Sequence, residues 1–80
     1  MSKDFGSALF VAGLKQSLKM ITSQKAKKVY LAADADFYIS SKISDACAQA
    51  GIDIEVSFSK AELGKLCKIE VDAAVVAVLK

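Results

Sequence analysis

Any chemistry in this chain has to be done without histidine. General acid–base work would fall to carboxylates, lysine, tyrosine or cysteine. Asp34 and Asp36 follow a strand-like run, the place where α/β active sites often form. The same two acids equally suit a solvated turn followed by a helix cap. Cys47 and Cys67 stand twenty positions apart with no CxxC pair. No base lies beside either to make it a nucleophile. Set among apolar neighbours at helical spacing, both read as reduced core residues. A zinc site needs ligands that the chain lacks. Neither a phosphate-loop motif nor a dinucleotide-binding glycine motif occurs. No catalytic, metal or cofactor site is expected.

A different chemistry is possible at Gly13-Leu14-Lys15-Gln16-Ser17-Leu18-Lys19. If Leu14 opens a helix, Lys15 and Lys19 stand one turn apart on one side, with Gln16 about 100° round. Leu14, Leu18 and Ile21 then share the opposite, inward side. The N–H groups of a first helical turn carry partial positive charge. Gly13 has no side chain to block an approaching backbone or base. Gln16 can donate and accept at a base edge, and lysines can meet guanine acceptors or phosphates. An ordinary amphipathic helix with a lysine face has the same pattern.

Charge is segregated in the same sense. Between Asp4 and Asp34 there are five lysines and no acid, while from Asp34 onward eight acids face five lysines. One half thus carries about +5 and the other about −3. Such a domain can focus a positive field on one side, which suits a polyanion. Arginine is absent, so anion contacts fall to lysine, amides and backbone N–H groups.

The elements that position these residues alternate. Ala8–Ala12 is a short apolar run of strand type, and residues 2–7 suit a helical turn before it. Gly13 favours a break there over a single helix across residues 4–23, because glycine weakens a helix interior by about 1 kcal/mol relative to alanine. Val29–Ala33 reads as a strand covered on both faces. Asp36 is a candidate N-cap for a helix that places Ile39, Ile43, Ala46, Cys47 and Ala50 on one face. Gly51 fits its C-terminal cap. Residues 52–58 alternate as a strand with one buried face. Ser59 and Glu62 form a capping box for a short helix with Leu63, Leu66 and Cys67. Residues 73–79 make a second wholly apolar strand. Ile69 and Val71 fall in the loop before it, where they either fold into the core or form a platform for an unstacked base.

Four strand-like and several helix-like segments in alternation imply a layered α/β sandwich in one domain, 1–80. The composition, 54% hydrophobic and 25% charged, fits a packed globule. No apolar run approaches the roughly 20 residues that span a bilayer. The N-terminus lacks a secretory layout. Cytoplasmic residence, with no membrane contact, is the expectation.

Three blocks together resemble one family. Gly13-Leu14-Lys15-Gln16-Ser17-Leu18-Lys19 resembles the G-x-N-E-x-x-K signature, and more closely the G-x-K-Q-T-x-K variant, of the kink-turn-binding ribosomal proteins of the L-seven-Ae and L-thirty-e type. Val29-Tyr30-Leu31-Ala32-Ala33-Asp34-Ala35-Asp36 resembles that family's V-x-I-A-x-D-x-D. Leu63-Gly64-Lys65, with Ile69-Glu70-Val71-Asp72-Ala73-Ala74, resembles L-G-x-x-x-G-I-E-V-x-A-A. The length and order of segments are similar to the short bacterial members.

The resemblance implies a three-layer α/β/α sandwich with a mixed, roughly four-stranded sheet. It implies a non-catalytic, monomeric protein without cofactor that binds structured RNA at the tandem G·A pairs of a kink-turn, with the ribosome as a possible setting. Carried over, Gly13 admits the RNA with Leu14 beside it in the RNA-binding block, Lys15 and Gln16 stand in for the Asn and Glu at base edges, and Lys19 keeps the family lysine. Ile69, Glu70 and Val71 form the loop for extruded nucleotides, Lys27 or Lys28 touches the backbone, and Asp34 belongs to the matched middle block. Two departures bear on recognition. Lys15-Gln16 loses a carboxylate acceptor for guanine N–H groups, and Lys68 replaces a usual glycine, altering the loop turn or adding a phosphate contact. Phe37, where many members have proline, bears on the start of its helix. A protein-interaction module of the same fold, with weak or lost RNA binding, is the alternative.

Overall fold

A strand as apolar as Val75-Val76-Ala77-Val78 needs cover on both faces and a hydrogen-bonded neighbour on both edges. The computed structural model, which describes residues 9–68 and 71–80, gives it all four. The elements run β1 (Phe10–Ala12), α1 (Leu14–Thr22), β2 (Ala26–Leu31), α2 (Phe37–Ala50), β3 (Asp53–Glu55), α3 (Lys60–Leu66) and β4 (Val75–Leu79). The sheet order is β1-β4-β2-β3. β4 runs antiparallel to both neighbours, whereas β2 and β3 are parallel. Val76 stands opposite Ala12 on one side and Tyr30 on the other. The expected helical turn over residues 2–7 lies outside the described residues.

Two helices cover one face and one covers the other. Ile21 of α1 and Ile43 and Cys47 of α2 pack on Val29, Leu31, Val75 and Ala77. Leu63 of α3, with Cys67 just beyond it, packs on Val76, with Phe10, Ala12 and Tyr30 beside them. Alternate residues of each strand thus serve opposite layers. Ile21, Ile43, Leu63, Val29, Val75 and Val76 lose all contact with solvent; each such side chain contributes about 1.5–3 kcal/mol. The result is the expected three-layer α/β/α sandwich on a mixed four-stranded sheet. Both cysteines are free thiols in the core, and burial raises the pKa of each.

Boundaries differ from the sequence reading where polar residues occupy strands or apolar residues leave them. β2 begins at Ala26, because Ala26 pairs with Leu79 and Lys28 with Val78 and Asp53, with Lys27 at the irregularity between them. β3 stops at Glu55; Val56 is exposed, and Phe58 turns across to Tyr30, ring centroids 6.0 Å apart. The last strand begins at Val75 because the Ala73 N–H donates to the Lys60 carbonyl at 3.1 Å.

α3 lies close to the chain just before β4. A Cβ built on buried Gly64 would run into the Val71 carbonyl oxygen and crowd Asp72. Backbone cannot move aside as a side-chain tip can. Gly64→Ala is therefore expected to cost about 1–3 kcal/mol, read as a lowered Tm together with amide shifts at Val71 and Asp72.

Candidate nucleic-acid interface

β1, β2 and β3 end at the same edge of the sheet at which β4 begins. Two hydrogen bonds tie that edge: Gly13 N–H to the Val75 carbonyl at 2.9 Å, and Ala32 N–H to the Ala74 carbonyl at 2.8 Å. α1 starts directly behind the first and α2 shortly behind the second. Both helices then run back along the same face.

Gly13 adopts φ 102°, ψ 157°, a region that side chains strain to enter. A Cβ there would nevertheless meet nothing within 4 Å. Backbone conformation demands the glycine, and the space above it is open. The helix break expected at Gly13 is therefore real.

The three helix N-termini are treated differently. Asp36 caps α2, accepting from the Ile39 N–H at 3.0 Å. α3 has the full capping box, Glu62 N–H to Ser59 Oγ at 3.2 Å and Ser59 N–H to Glu62 Oε1 at 2.9 Å. It also has Asp34 Oδ1, which accepts from the Lys60 N–H at 2.8 Å. α1 has no side-chain cap and no acid in its first turn. Lys15 stands there instead, a cation at the positive end of a helix, which costs about 0.3–1 kcal/mol. Lys15, Gln16 and Lys19 are exposed, while Leu14 and Leu18 pack inward toward fully buried Ile21. The Ser17 hydroxyl is buried without a hydrogen-bond partner among the described residues. This side of α1 thus presents ammonium groups, an amide and unshared backbone N–H groups to solvent.

The remaining sequence candidates divide. Val71 is 68% exposed on the segment that leads into the same edge of the sheet. Ile69 and Glu70 lie outside the described residues. Lys68 is exposed and left-handed, φ 59°, so the turn that glycine would make is made here by lysine. Asp34 is at the edge, with its carboxylate engaged on α3. Lys27 is exposed near the start of β2, toward the far end of the sheet.

Lys28 is not brought together with Lys15 and Gln16. It shares the α3 face with Tyr30, its ammonium 2.8 Å from Glu55 Oε1 and 5.0 Å from the Tyr30 ring centroid. The hydrogen bond to Glu55 raises the Lys28 pKa, and the reciprocal bond lowers that of Glu55. Sequence reasoning missed this pair because its partners meet only across the β2–β3 register. It also assigned Phe37 to helix initiation alone and passed over Tyr38, although both fall outside the inward stripe of α2 and are exposed.

Among the described residues no cluster of acids or cysteines could hold a metal ion, and no helix is long and apolar enough to cross a membrane. The model of the ribosomal protein L7Ae/L30e/S12e/Gadd45 family matches residues 7–80. The chain belongs to this family. It is 42% identical over 67 residues to an RNA-binding protein of Caldanaerobacter subterraneus subsp. tengcongensis, covering 84% of this chain and 82% of that one. It is 39% identical over 70 residues to the RNA-binding protein YbxF of Geobacillus stearothermophilus, covering 88% and 85%. Among solved structures, the 15.5kD RNA binding protein of Giardia lamblia superposes with TM-score 0.83 at 32% identity, over 89% of this chain and 60% of that one. A Bacillus halodurans protein with the same TM-score of 0.83 is 22% identical and speaks to the fold alone.

Two measurements test the local energetics. A left-handed conformation costs a side-chain-bearing residue about 1–2 kcal/mol, so Lys68→Gly should raise Tm, by about 4–8 °C per kcal/mol relieved in a domain of this size. Glu55, with its folded pKa depressed, stabilises above the usual carboxylate value of 4.5, and that contribution is lost as pH falls through the lower folded value. Lys28 gives the mirror case: its stabilisation holds below 10.5 and is lost as pH rises through the higher folded value. Glu55→Gln should remove the acid-side dependence from a denaturation series and weaken the alkaline-side one, to which Tyr30 also contributes.

Proposed function

We propose that this chain is a non-catalytic RNA-binding protein that recognises kink-turn RNA at its tandem G·A pairs. The observation that carries the reading is the α1 N-terminus, left uncapped with Lys15 in its first turn while α2 and α3 are both capped within the protein. An anion at that end would relieve the unfavourable placement of Lys15 and accept from the unshared N–H groups. The family and the relatives named as RNA-binding proteins supply the class of anion.

In this reading the sugar–phosphate backbone passes over Gly13, where nothing obstructs it. Lys15 and Gln16 reach the base edges. Gln16 replaces a carboxylate acceptor with an amide that both donates and accepts, so one face of the G·A contact changes from purely accepting to mixed. Lys15 donates to guanine acceptors or to phosphate, and Lys19, one turn on, anchors the same strand. Lys68 and Val71 approach from the neighbouring loop with a cation and an apolar surface. Protein of this kind selects the bent RNA from an existing ensemble of bent and extended forms, in proportion to its preference for the bent one. We place the protein in the cytoplasm as a monomer, with ribosomal RNA or another structured transcript as its target.

A titration monitored by fluorescence between labels at the two ends of the RNA reads bending and affinity together. Tight binding with bending is expected for a kink-turn, and weak binding without bending when its G·A pairs are replaced by Watson–Crick pairs. Equal affinity for both RNAs would remove the kink-turn assignment. Lys19→Ala should weaken binding and lower the salt slope by up to about 0.9, the contribution of one neutralised phosphate in duplex DNA.

A further inference from the structure

We propose that Phe37 and Tyr38 form a second RNA contact, a cleft on α2 that holds one unpaired base next to the strand seated on α1. The proposal rests on the RNA-binding reading above and extends it to residues outside that interface.

Phe37 is 86% exposed and Tyr38 62%. Two adjacent aromatic rings left in water on a small domain mark an interaction site, since each ring has a large apolar area to bury. With Ser41, Lys42 and Asp45 they line an open cleft of about 310 Å³. The Lys42 ammonium lies 5.6 Å from the Tyr38 ring centroid, so the aromatic surface already carries a cation at its edge.

The cleft is continuous with α1. Lys42 and Asp45 also line a neighbouring groove whose opposite wall is Thr22 and Gln24, at the end of α1. Helical periodicity puts Lys15 and Lys19 on the same side of α1 as Thr22. It puts Tyr38 on the same side of α2 as Lys42 and Asp45. The two helices start at the same edge of the sheet and run the same way. Lys15 and Lys19 of α1 and Tyr38 of α2 thus lie beyond the groove, on the continuation of its two sides toward the N-terminal ends of the helices, with Phe37 at the rim of the cleft.

The chemistry fits an unpaired nucleotide. The lining holds one lysine, Lys42, and one acid, Asp45, with Lys15 and Lys19 further along the same side of α1, and aromatic rings beside ammonium groups are the parts with which proteins hold unpaired nucleic acid. Asp45, one turn further along, repels phosphate and so turns the backbone toward the lysines, while its oxygens can accept from base amino groups. An apolar protein anchor would meet Ser41, Lys42 and Asp45 in the lining, polar groups that it could not satisfy.

Fluorescence anisotropy with three RNAs tests this: one blunt-ended kink-turn duplex, and the same duplex with four unpaired adenosines on either the 5′ or the 3′ end. The wild-type chain should bind one extended RNA at least about 5-fold more tightly than the blunt one, the lower end of the range for one base–aromatic stack. Phe37→Ala/Tyr38→Ala should lose that preference and keep the affinity for the blunt duplex. Tyr38→Phe should keep both. 2-Aminopurine in the extension should be quenched by the wild-type chain and not by the double variant. Equal wild-type affinity for blunt and extended RNAs, with Lys15→Ala weakening all of them, would overturn the cleft and leave the proposed function standing. A wild-type dimer in sedimentation that the double variant converts to a monomer would overturn it in favour of a second copy. Failure to bind any of the three RNAs would overturn both readings.

Discussion

The pairing of β4 with both β1 and β2 is the interaction on which the rest of the molecule depends. β4 is apolar throughout and stands between two strands that run against it. Its first residues receive hydrogen bonds from the ends of both neighbours, at Gly13 and Ala32. Those bonds hold the start of α1 and the start of α2 at one edge of the sheet. Without β4 between them, β1 and β2 would have no shared register, and the lysine edge of α1 would have no fixed relation to α2. The core and the candidate interface are two consequences of one ladder.

What the sequence disclosed was local. The glycine at 13, the cap at Asp36, the left-handed Gly51 and the Ser59–Glu62 box each depend on residues within one helical turn, so spacing was enough to find them. The inward stripe of α1 was legible for the same reason. The beginning of β2 was not, because Lys27 and Lys28 are polar and the pairing of Ala26 and Lys28 is with partners far along the chain. Asp34 illustrates the same limit. Its acid and its spacing were visible, but its partner is the Lys60 N–H, 26 positions away. The neighbouring acids of Asp34-Ala35-Asp36 turn out to serve two different helices. The strand order also lay beyond periodicity, which shows a strand's burial and not its neighbours.

Exposure was the other blind spot. An aromatic residue is ordinarily assigned to a core, and the sign that Phe37 and Tyr38 stay outside it lies only in the helical spacing of their neighbours. The inward side of α2 was already filled by Ile39, Ile43, Ala46 and Cys47, and a helix has room for one such stripe. Both rings are left over once that stripe is assigned. The same accounting separates Lys28 from Lys15. Both are lysines in the basic half, but one is matched by Glu55 across a ladder and the other stands at a helix end with no acid in the first turn.

The uncapped end of α1 places stability and use in opposition. An acid at position 15 would interact favourably with the helix dipole and firm up the free domain, yet it would repel the polyanion of the proposed function. Position 15 is thus a place where the isolated domain and the proposed complex favour opposite charges, and this chain has the charge that suits the complex.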